Sequence, residues 1–490
     1  MKDKIAKSVY WIVWSRGGIQ TLSFISTLLV ARLLAPSDYG VMALAGIWTM
    51  GVFTLAEMGL GAAIIQYRDL EDRDLNSCFW LTIGIAGIGY LGLFIAAPSI
   101  AAWFSSPMLS DVLRVVGLTL PLTALRIVPD SLLRKSLALD KVSQAEIAAA
   151  AVTIPVMVGL AWAGAGVWAL VAAAIVGPLT QSVATFWFMH WWPGMQIGGA
   201  RFREVVSYSG ATLGSRICWM LREQADAFVL GKVSGDVVLG FYSMAKQLAT
   251  LPVGKVSGVV NVIVSPMMAE LQTSREALRA AFLRSLRLIA CICLPVSIGV
   301  ILVADDLIIV VLGQKWISVI PLLKVLCIYA IFSSIAVLLP SVMSACYRVR
   351  FMFQYTLVQL AVMPIAFWAA AIWGGALGVA IAWATMYPLA LSWLAREAFR
   401  EMHVTWGTVF AQFRSPAAAS ADMAVTLVFI RWAWIRWGLD LAGARLAVSV
   451  VLGATIYGTV LLWIGGPIRE EIKEVLGWVF HGGRVALAAK

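Results

Sequence analysis

The sequence predicts an all-α integral membrane protein of about 14 transmembrane helices, two lobes of six and a closing pair. Three observations carry that reading. Of 490 residues, 61% are hydrophobic and 13% charged, against about 25% charged in an ordinary soluble domain. The apolar residues fall in runs of about 20 or more, each long enough to cross roughly 30 Å of hydrocarbon as a helix. Strand-like alternation is absent, and lipid admits only helices or closed barrels because no water is there to satisfy exposed peptide groups. A water-soluble fold is excluded.

Taken in order, the elements are separated by Gly, Pro and charged clusters. Lys2, Lys4 and Lys7 precede a first apolar run near residues 9 to 34, which lacks a small-residue cleavage site and reads as a retained span rather than a signal peptide. PSDYG at 36 to 40 ends it, and a second span follows near 40 to 65. The 66 to 76 loop, with Asp69, Glu71, Asp72 and Asp74, leads to a third span near 77 to 99 and a fourth near 111 to 134. Arg134, Lys135 and Lys141 mark the next break, and GAG at 164 to 166 divides spans near 145 to 164 and 167 to 191. Beyond Arg201 and Arg203, six more spans run near 205 to 231, 237 to 267, 282 to 304, 317 to 346, 351 to 373 and 376 to 397. The stretch from Arg275 to Arg287, the pair Arg348 and Arg350, GGALG at 374 to 378, and Arg396 with Arg400 punctuate them. The closing pair, near 419 to 438 and 444 to 465, is the least apolar because Arg431, Arg436 and Asp440 intrude.

Lys and Arg concentrate on one side of this arrangement, which places both termini in the cytoplasm by the positive-inside rule. The segment from Ala269 to Arg287 sets Leu271, Leu278 and Phe282 opposite Arg275, Glu276 and Arg279. After Pro467, Ile468, Ile472, Val475 and Val479 form a stripe beside Glu470, Glu471, Lys473 and Glu474. Both segments read as interfacial helices on the cytoplasmic surface.

At a fixed offset of 200, LLVARLLAPSDYGVMALA (28 to 45) aligns with FVLGKVSGDVVLGFYSMA (228 to 245), setting Gly40 on Gly240 and Arg16 on Arg216. Near an offset of 210, Leu113 and Arg114 match Leu323 and Lys324. Six spans per copy keep the two copies in the same orientation, as parallel repeats. The expected organisation is therefore an N-terminal lobe over 1–200, a C-terminal lobe over 201–402, and 403–490 as helices 13 and 14 with an amphipathic cytoplasmic tail. A cavity between lobes, opened by rocking, is the expected consequence.

Several soluble functions are set aside. The formal charge of +11 follows from cytoplasmic loops and not from nucleic-acid binding. Gly87, Gly89 and Gly92 spell GxGxxG inside an apolar run, where helix packing explains them better than a nucleotide. Cys78, Cys218, Cys291, Cys293, Cys327 and Cys346 form no CxxC spacing, and His190, His403 and His481 lie far apart, so no metal and no cofactor is expected.

Ionisable side chains inside spans are costly and become site candidates by default. Arg16, Arg126, Arg216, Lys246 and Lys255 are the candidates for substrate binding, and Glu57, Glu223 and Asp226 for ion coupling. Arg222 and Asp226, spaced i, i+4, form a candidate structural pair. Cations outnumber anions in this set. A cationic chamber suits a phosphate, because guanidinium binds phosphate oxygens through two parallel N–H bonds. Snorkelling to the surface is the simpler role for Arg16, Glu57 and Arg126.

ARLLAPSDYG at 31 to 40, EMGLGAAIIQ at 57 to 66, FWLTI at 79 to 83, GAGVWALV at 164 to 171 and LGQKW at 312 to 316 resemble the Wzx-type polysaccharide exporters. These belong to the multidrug/oligosaccharidyl-lipid/polysaccharide (MOP) superfamily, and the resemblance is greatest to the colanic and teichuronic acid exporter branch. It covers about residues 5 to 400. It implies a MATE-like fold and a flippase that moves undecaprenyl-pyrophosphate-linked repeat units from the cytoplasmic to the periplasmic leaflet of a bacterial inner membrane. Lipid-linked oligosaccharide and membrane lipid would be its ligands, with polysaccharide polymerase and export machinery as partners and no nucleic acid. One departure is Glu57, where the family often carries Asp before its Gly-Leu-Gly segment.

The rivals are a drug or cation antiporter of the same fold, which would favour an acidic cavity, a lipid II flippase, and a membrane glycosyltransferase or polymerase. The last would need catalytic groups on sizeable loops, and the outer loops here are short. A passive scaffold would leave the intramembrane charges without a role. The expectation is a transporter and not an enzyme.

Overall fold

A computed structural model describes residues 18, 22–67, 69–260, 264–436, 441–464 and 469–470. Every regular element among them is helical. Eleven helices are long and apolar enough to cross a membrane, and Leu22–Leu33 is a shorter apolar helix beside them. Two of the eleven are each two crossings in one. The helix Phe202–Val259 breaks at Gly235 (φ 81°, ψ 177°) and Val349–Glu401 at Gly374 and Gly375 (φ 56° at Gly375). The legs fold back closely: a Cβ on Gly378 would collide with the Ala370 carbonyl, eight positions earlier, and one on Gly231 would touch Leu239 at 3.4 Å. In a continuous helix such residues stand about 12 Å apart. With these two hairpins resolved, the eleven make thirteen crossings, and Leu22–Leu33 is the described part of the first span expected near 9 to 34, roughly consistent with the 14 expected from the sequence.

The described chain divides into two compact units, one reaching Gly240 and the other starting at Phe241. In the first are α1 (Leu22–Leu33), α2 (Pro36–Glu57), α3 (Leu60–Gln66), α4 (Asp72–Phe104), α5 (Pro107–Val116), α6 (Thr119–Lys135), α7 (Leu139–Trp162), α8 (Val167–Met189) and the leading leg of α9 (Phe202–Val259). Pro36 at the first position of α2 and Asp38, whose Oδ2 accepts the Ala35 N–H at 2.8 Å, start that helix. The start of α2 packs on α9 just after Gly235. A Cβ on Gly40 would collide with the Asp236 carbonyl, and a Cβ on Gly240 with the Pro36 carbonyl. Both pairs, Gly40 with Gly240 and Pro36 with Asp236, are separated by 200 positions, so the repeat-aligned segments meet reciprocally.

The acidic loop before α4 fastens the connector between α8 and α9. Buried Asp74 accepts the Arg201 N–H through Oδ1 and the Glu71 N–H through Oδ2, each at 3.1 Å. Asn76 Oδ1 accepts the Gly194 N–H at 2.9 Å, Ser77 Oγ accepts the Gly198 N–H at 2.7 Å, and Trp80 Nε1 donates to the Gly194 carbonyl at 3.0 Å. These bonds satisfy backbone groups that an irregular segment would otherwise leave unpaired.

The second unit holds the rest of α9, then α10 (Ser265–Glu270), α11 (Arg275–Leu307), α12 (Val319–Ala336), α13 (Leu339–Ala345), α14 (Val349–Glu401), α15 (Trp406–Arg436) and α16 (Ala442–Ile464). Of the charges that intrude on the closing pair, Arg431 is paired, and Asp440 lies outside the described residues. Asp305 accepts from Lys324 at 2.8 Å and from Arg431 at 2.6 Å, and Asp306 pairs with Arg445. Tyr457 also donates to the Cys291 carbonyl at 2.8 Å, so α15 and α16 are held along α11.

The stretch around 269 to 287 is not a free interfacial helix. Arg275 begins the 33-residue α11. Leu278 and Phe282 are buried in the unit, while Arg275 Nη1 donates to the Glu401 carbonyl at 2.7 Å. Arg348 donates to Glu401 Oε1 from Nε at 3.0 Å and from Nη2 at 2.6 Å, closing a basic end of the unit on one carboxylate. Burial, with Glu401 beside it, holds the Cys346 thiol above its ordinary pKa. The stripe expected after Pro467 lies outside the described residues.

Candidate functional site

The first unit contains an interruption in a membrane span. α2 stops at Glu57, Met58 and Gly59 take left-handed backbone (φ 48° and 83°), and α3 restarts at Leu60. Glycine adopts that conformation freely; methionine does so at a cost, so the break is built in and held by its surroundings. What holds it is a buried cluster of Leu60, Ala63 and Ile64 with Leu75, Cys78 and Phe79 of α4, Val128 of α6 and Val205 of α9. Lys135 Nζ donates to the Tyr67 carbonyl at 2.6 Å just past the end of α3. Gly61 leaves room for its neighbours: a Cβ there would stand 3.2 Å from Ser131 Oγ and 3.7 Å from Glu57 Oε1.

Glu57 meets Arg216 at this break, where Arg216 Nη1 donates to Glu57 Oε2 at 2.7 Å. By helix rise, Arg216 stands about 21 Å along α9 from its start, and Glu57 lies about 14 Å before the chain leaves α3. Both lengths count from the end of the unit that carries Arg134, Lys135, Arg201 and Arg203, and they put the pair within the hydrocarbon depth. The side chains are 40% and 25% exposed, so the first unit does not enclose the pair. Among described contacts only Nη1 is engaged, and the rest of the guanidinium fork is open to an acceptor. Energetics separate a structural pin from a site. An exposed ion pair is worth about 0–1 kcal/mol, while an arginine at the centre of a spanning helix costs about 2.5–3.5 kcal/mol on insertion scales. On these figures the Glu57 pair alone does not offset the cost of this arginine, which keeps Arg216 a site candidate.

The other sequence candidates distribute as follows. Arg222 Nη2 donates to Glu223 Oε2 at 3.2 Å, and Asp226, fully buried, accepts the Ala227 N–H through Oδ1 at 2.7 Å. Arg126 is half-buried on α6 with its Nε lacking a hydrogen bond, and Asp130, Arg134 and Glu146 are the charges that act on it. Lys246, in the second unit, lies 5.1 Å from the ring centre of buried Trp383. Lys255 is exposed on α9. Arg16 lies outside the described residues. Two groups at the break escaped sequence reasoning: Ser131, whose hydroxyl sits by the Gly61 gap, and Asp130, which receives Arg134 Nε at 2.7 Å. The glycine at 61 was the available signal, since a missing side chain inside a span marks a close neighbour. Among the described residues no group of three His, Cys, Asp or Glu could hold a metal ion.

Comparison with known proteins adds a family. The family model described as "Polysaccharide biosynthesis protein" matches residues 29–321. The chain is 23% identical over 460 residues to the teichuronic acid biosynthesis protein TuaB of Bacillus subtilis (strain 168), covering 93% of this chain and 94% of that one. It is 23% identical over 394 residues to the lipopolysaccharide biosynthesis protein WzxC of Escherichia coli (strain K12), covering 78% of each. The fold is that of the lipid II flippase MurJ in an inward closed conformation, with a TM-score of 0.71 at 12% identity over 92% of this chain and 97% of that one.

Proposed function

The chain belongs to the family of polysaccharide biosynthesis proteins, and from that membership we propose that it is a flippase. Its cargo is an undecaprenyl-pyrophosphate-linked oligosaccharide, carried from the cytoplasmic to the periplasmic leaflet of a bacterial inner membrane. One observation carries the proposal: a half-exposed arginine, Arg216, set at hydrocarbon depth on a carboxylate at a helix break. A diphosphate brings several acceptor oxygens, and Arg216 meets them with donors that Glu57 does not use. Glu57 holds the guanidinium in place while the site is empty and competes with the phosphate once it is filled, so binding stays moderate and release stays possible. The polyprenyl chain remains in lipid.

In this reading the two six-helix lobes alternate access to the site, both termini face the cytoplasm, and the remaining cations, Arg16, Arg126, Lys246 and Lys255, contribute to the cationic path. Glu57, Glu223 and Asp226 are the groups available for ion coupling. A polymerase and export machinery would consume the product. Transport, not bond-making, is the activity, in keeping with relatives that act in polysaccharide synthesis and a fold shared with a flippase.

The test is transfer of a fluorescent polyprenyl-diphosphate oligosaccharide between leaflets of proteoliposomes. Arg216→Ala should slow transfer about tenfold or more, the loss expected for a charge-assisted hydrogen bond of roughly 1.5–3 kcal/mol, with normal insertion. Undiminished transfer would remove Arg216 from the site. Drug-driven cation exchange without lipid transfer would favour the antiporter.

A further inference from the structure

We infer that a hydroxyl-lined pocket in the second unit is the subsite that recognises the sugar of the cargo; this rests on the lipid-linked oligosaccharide reading above. The pocket, of about 330 Å³, lies between α10 and α13 and is lined by Ser265, Ala269, Gln272, Pro340, Ser341, Ser344 and Ala345. That volume is at the lower end of the roughly 300–1,000 Å³ of small-molecule sites, enough for one or two sugar rings.

The lining carries no charge and sets the hydroxyls of Ser265, Ser341 and Ser344 and the Gln272 amide among apolar surface from Ala269, Pro340 and Ala345. Ser265 Oγ and Ser341 Oγ are 2.6 Å apart, so one hydroxyl donates to the other. The pair thereby keeps one hydrogen and several lone pairs for a third group. Gln272 adds a planar amide, and its Oε1 accepts from the Tyr347 hydroxyl at 3.1 Å, which sets an exposed aromatic ring beside the pocket. Hydroxyls, an amide and an aromatic face are complementary to a neutral saccharide, whose ring offers hydroxyls at its edge and C–H groups on its face.

Phosphate is disfavoured here by the same geometry. The cation next to Tyr347 is Arg348, and Glu401 already holds it through Nε and Nη2, while Arg275 is turned onto the Glu401 carbonyl and carboxylate. Both arginines are thus turned onto Glu401, and neither lines the pocket.

Comparison with the first unit separates what belongs to the fold from what is particular to the pocket. The turn after α6 and the turn after α13 share a shift of 210 positions. Leu137 and Tyr347 are both left-handed (φ 56° and 58°), and Ala138 N–H to Leu133 carbonyl corresponds to Arg348 N–H to Met343 carbonyl. Ser131 and Ser341 correspond at the same shift. The strained backbone at Tyr347 is therefore architectural. The aromatic side chain is not: the first unit exposes Leu137 there, and its Ser131, the counterpart of Ser341, stands by Gly61 near Glu57 of the Glu57–Arg216 pair. One unit presents an ion pair where the other presents hydroxyls.

The experiment uses the full chain in proteoliposomes with the polyprenyl-diphosphate oligosaccharide pool of the source cells, labelled in the polyprenyl chain. Bare polyprenyl diphosphate serves as a competing inhibitor. Ser341→Ala, Gln272→Leu and Tyr347→Ala should each raise KM for the oligosaccharide lipid, by roughly three- to tenfold per lost hydrogen bond. Half-inhibition by the bare lipid should stay unchanged, and Tyr347→Phe should keep more activity than Tyr347→Ala. An unchanged KM, or a KM and an inhibition constant that move together, would overturn the sugar subsite while leaving the flippase reading intact. A wild-type chain that moves none of the pool would sink the flippase reading and the subsite with it.

Discussion

At the scale of single residues, the Glu57–Arg216 contact makes a prediction with two opposite signs. If Arg216 binds the phosphate of the cargo as proposed, a carboxylate 2.7 Å from the guanidinium occupies a donor that the phosphate would use and weakens its binding. By the same competition it helps the cargo leave. Glu57→Gln keeps the shape and removes the charge. Transfer kinetics in proteoliposomes should then show KM lowered severalfold and turnover lowered as well, the pattern of a site that binds its ground state too well. A variant with both constants unchanged would detach Glu57 from the work of Arg216. Neither residue's partner was legible in the sequence. They lie 159 positions apart, and helical periodicity orders residues around one helix without saying which helix stands opposite. What could be read was the cost of each charge in lipid, which is enough to nominate both.

At the scale of elements, lipid did most of the specifying. Span length, glycine breaks and basic clusters locate the crossings because a peptide group in hydrocarbon has only the helix to satisfy it. The hairpins at Gly235 and Gly374–Gly375 fall where the sequence places turns between spans. Two features went unread. The acidic 69–74 loop grips backbone N–H groups of the 194–201 connector, and backbone targets leave no mark in side-chain patterns. Arg431 makes α15 look like a poor span, yet it pairs with Asp305 from an element more than a hundred positions away. The close hairpin in α14 yields a direct test. Since a Cβ at Gly378 would strike the Ala370 carbonyl, Gly378→Leu must push the legs apart, and overpacking of this kind costs about 1–3 kcal/mol. Size-exclusion profiles of heated, detergent-extracted protein should show an earlier loss of the monodisperse peak than for wild type. Wild-type heat tolerance in the variant would mean that the legs are not packed this closely.

At the scale of the whole molecule, the asymmetry of charge predicts which end of each unit faces the cytoplasm. Each unit carries more of its arginines and lysines at one end, among them Arg134, Lys135, Arg201 and Arg203 in the first, and Arg275, Arg348 and Arg400 in the second, than at the other, where Arg32 and Lys232 in the first and Lys324, Arg431 and Arg445 in the second lie. The turns at the other ends, PSDYG, GAG and GGALG, carry no Lys or Arg. Basic loops stay on the cytoplasmic side during insertion, and the rule depends on Lys and Arg rather than net charge, so the acidic 69–74 loop does not reverse it. On the proposed orientation, cargo made in the cytoplasm meets the basic end of each unit, with the serine pocket in the second and the nearer approach to Arg216 in the first. Single-cysteine variants at Ser37, Ala165 and Leu377 should react with a membrane-impermeant maleimide added outside intact cells. Variants at Leu137 and Ser274 should react only after the membrane is opened. The reverse pattern would turn the chain over in the membrane, put the sugar pocket on the product side, and make it a release site.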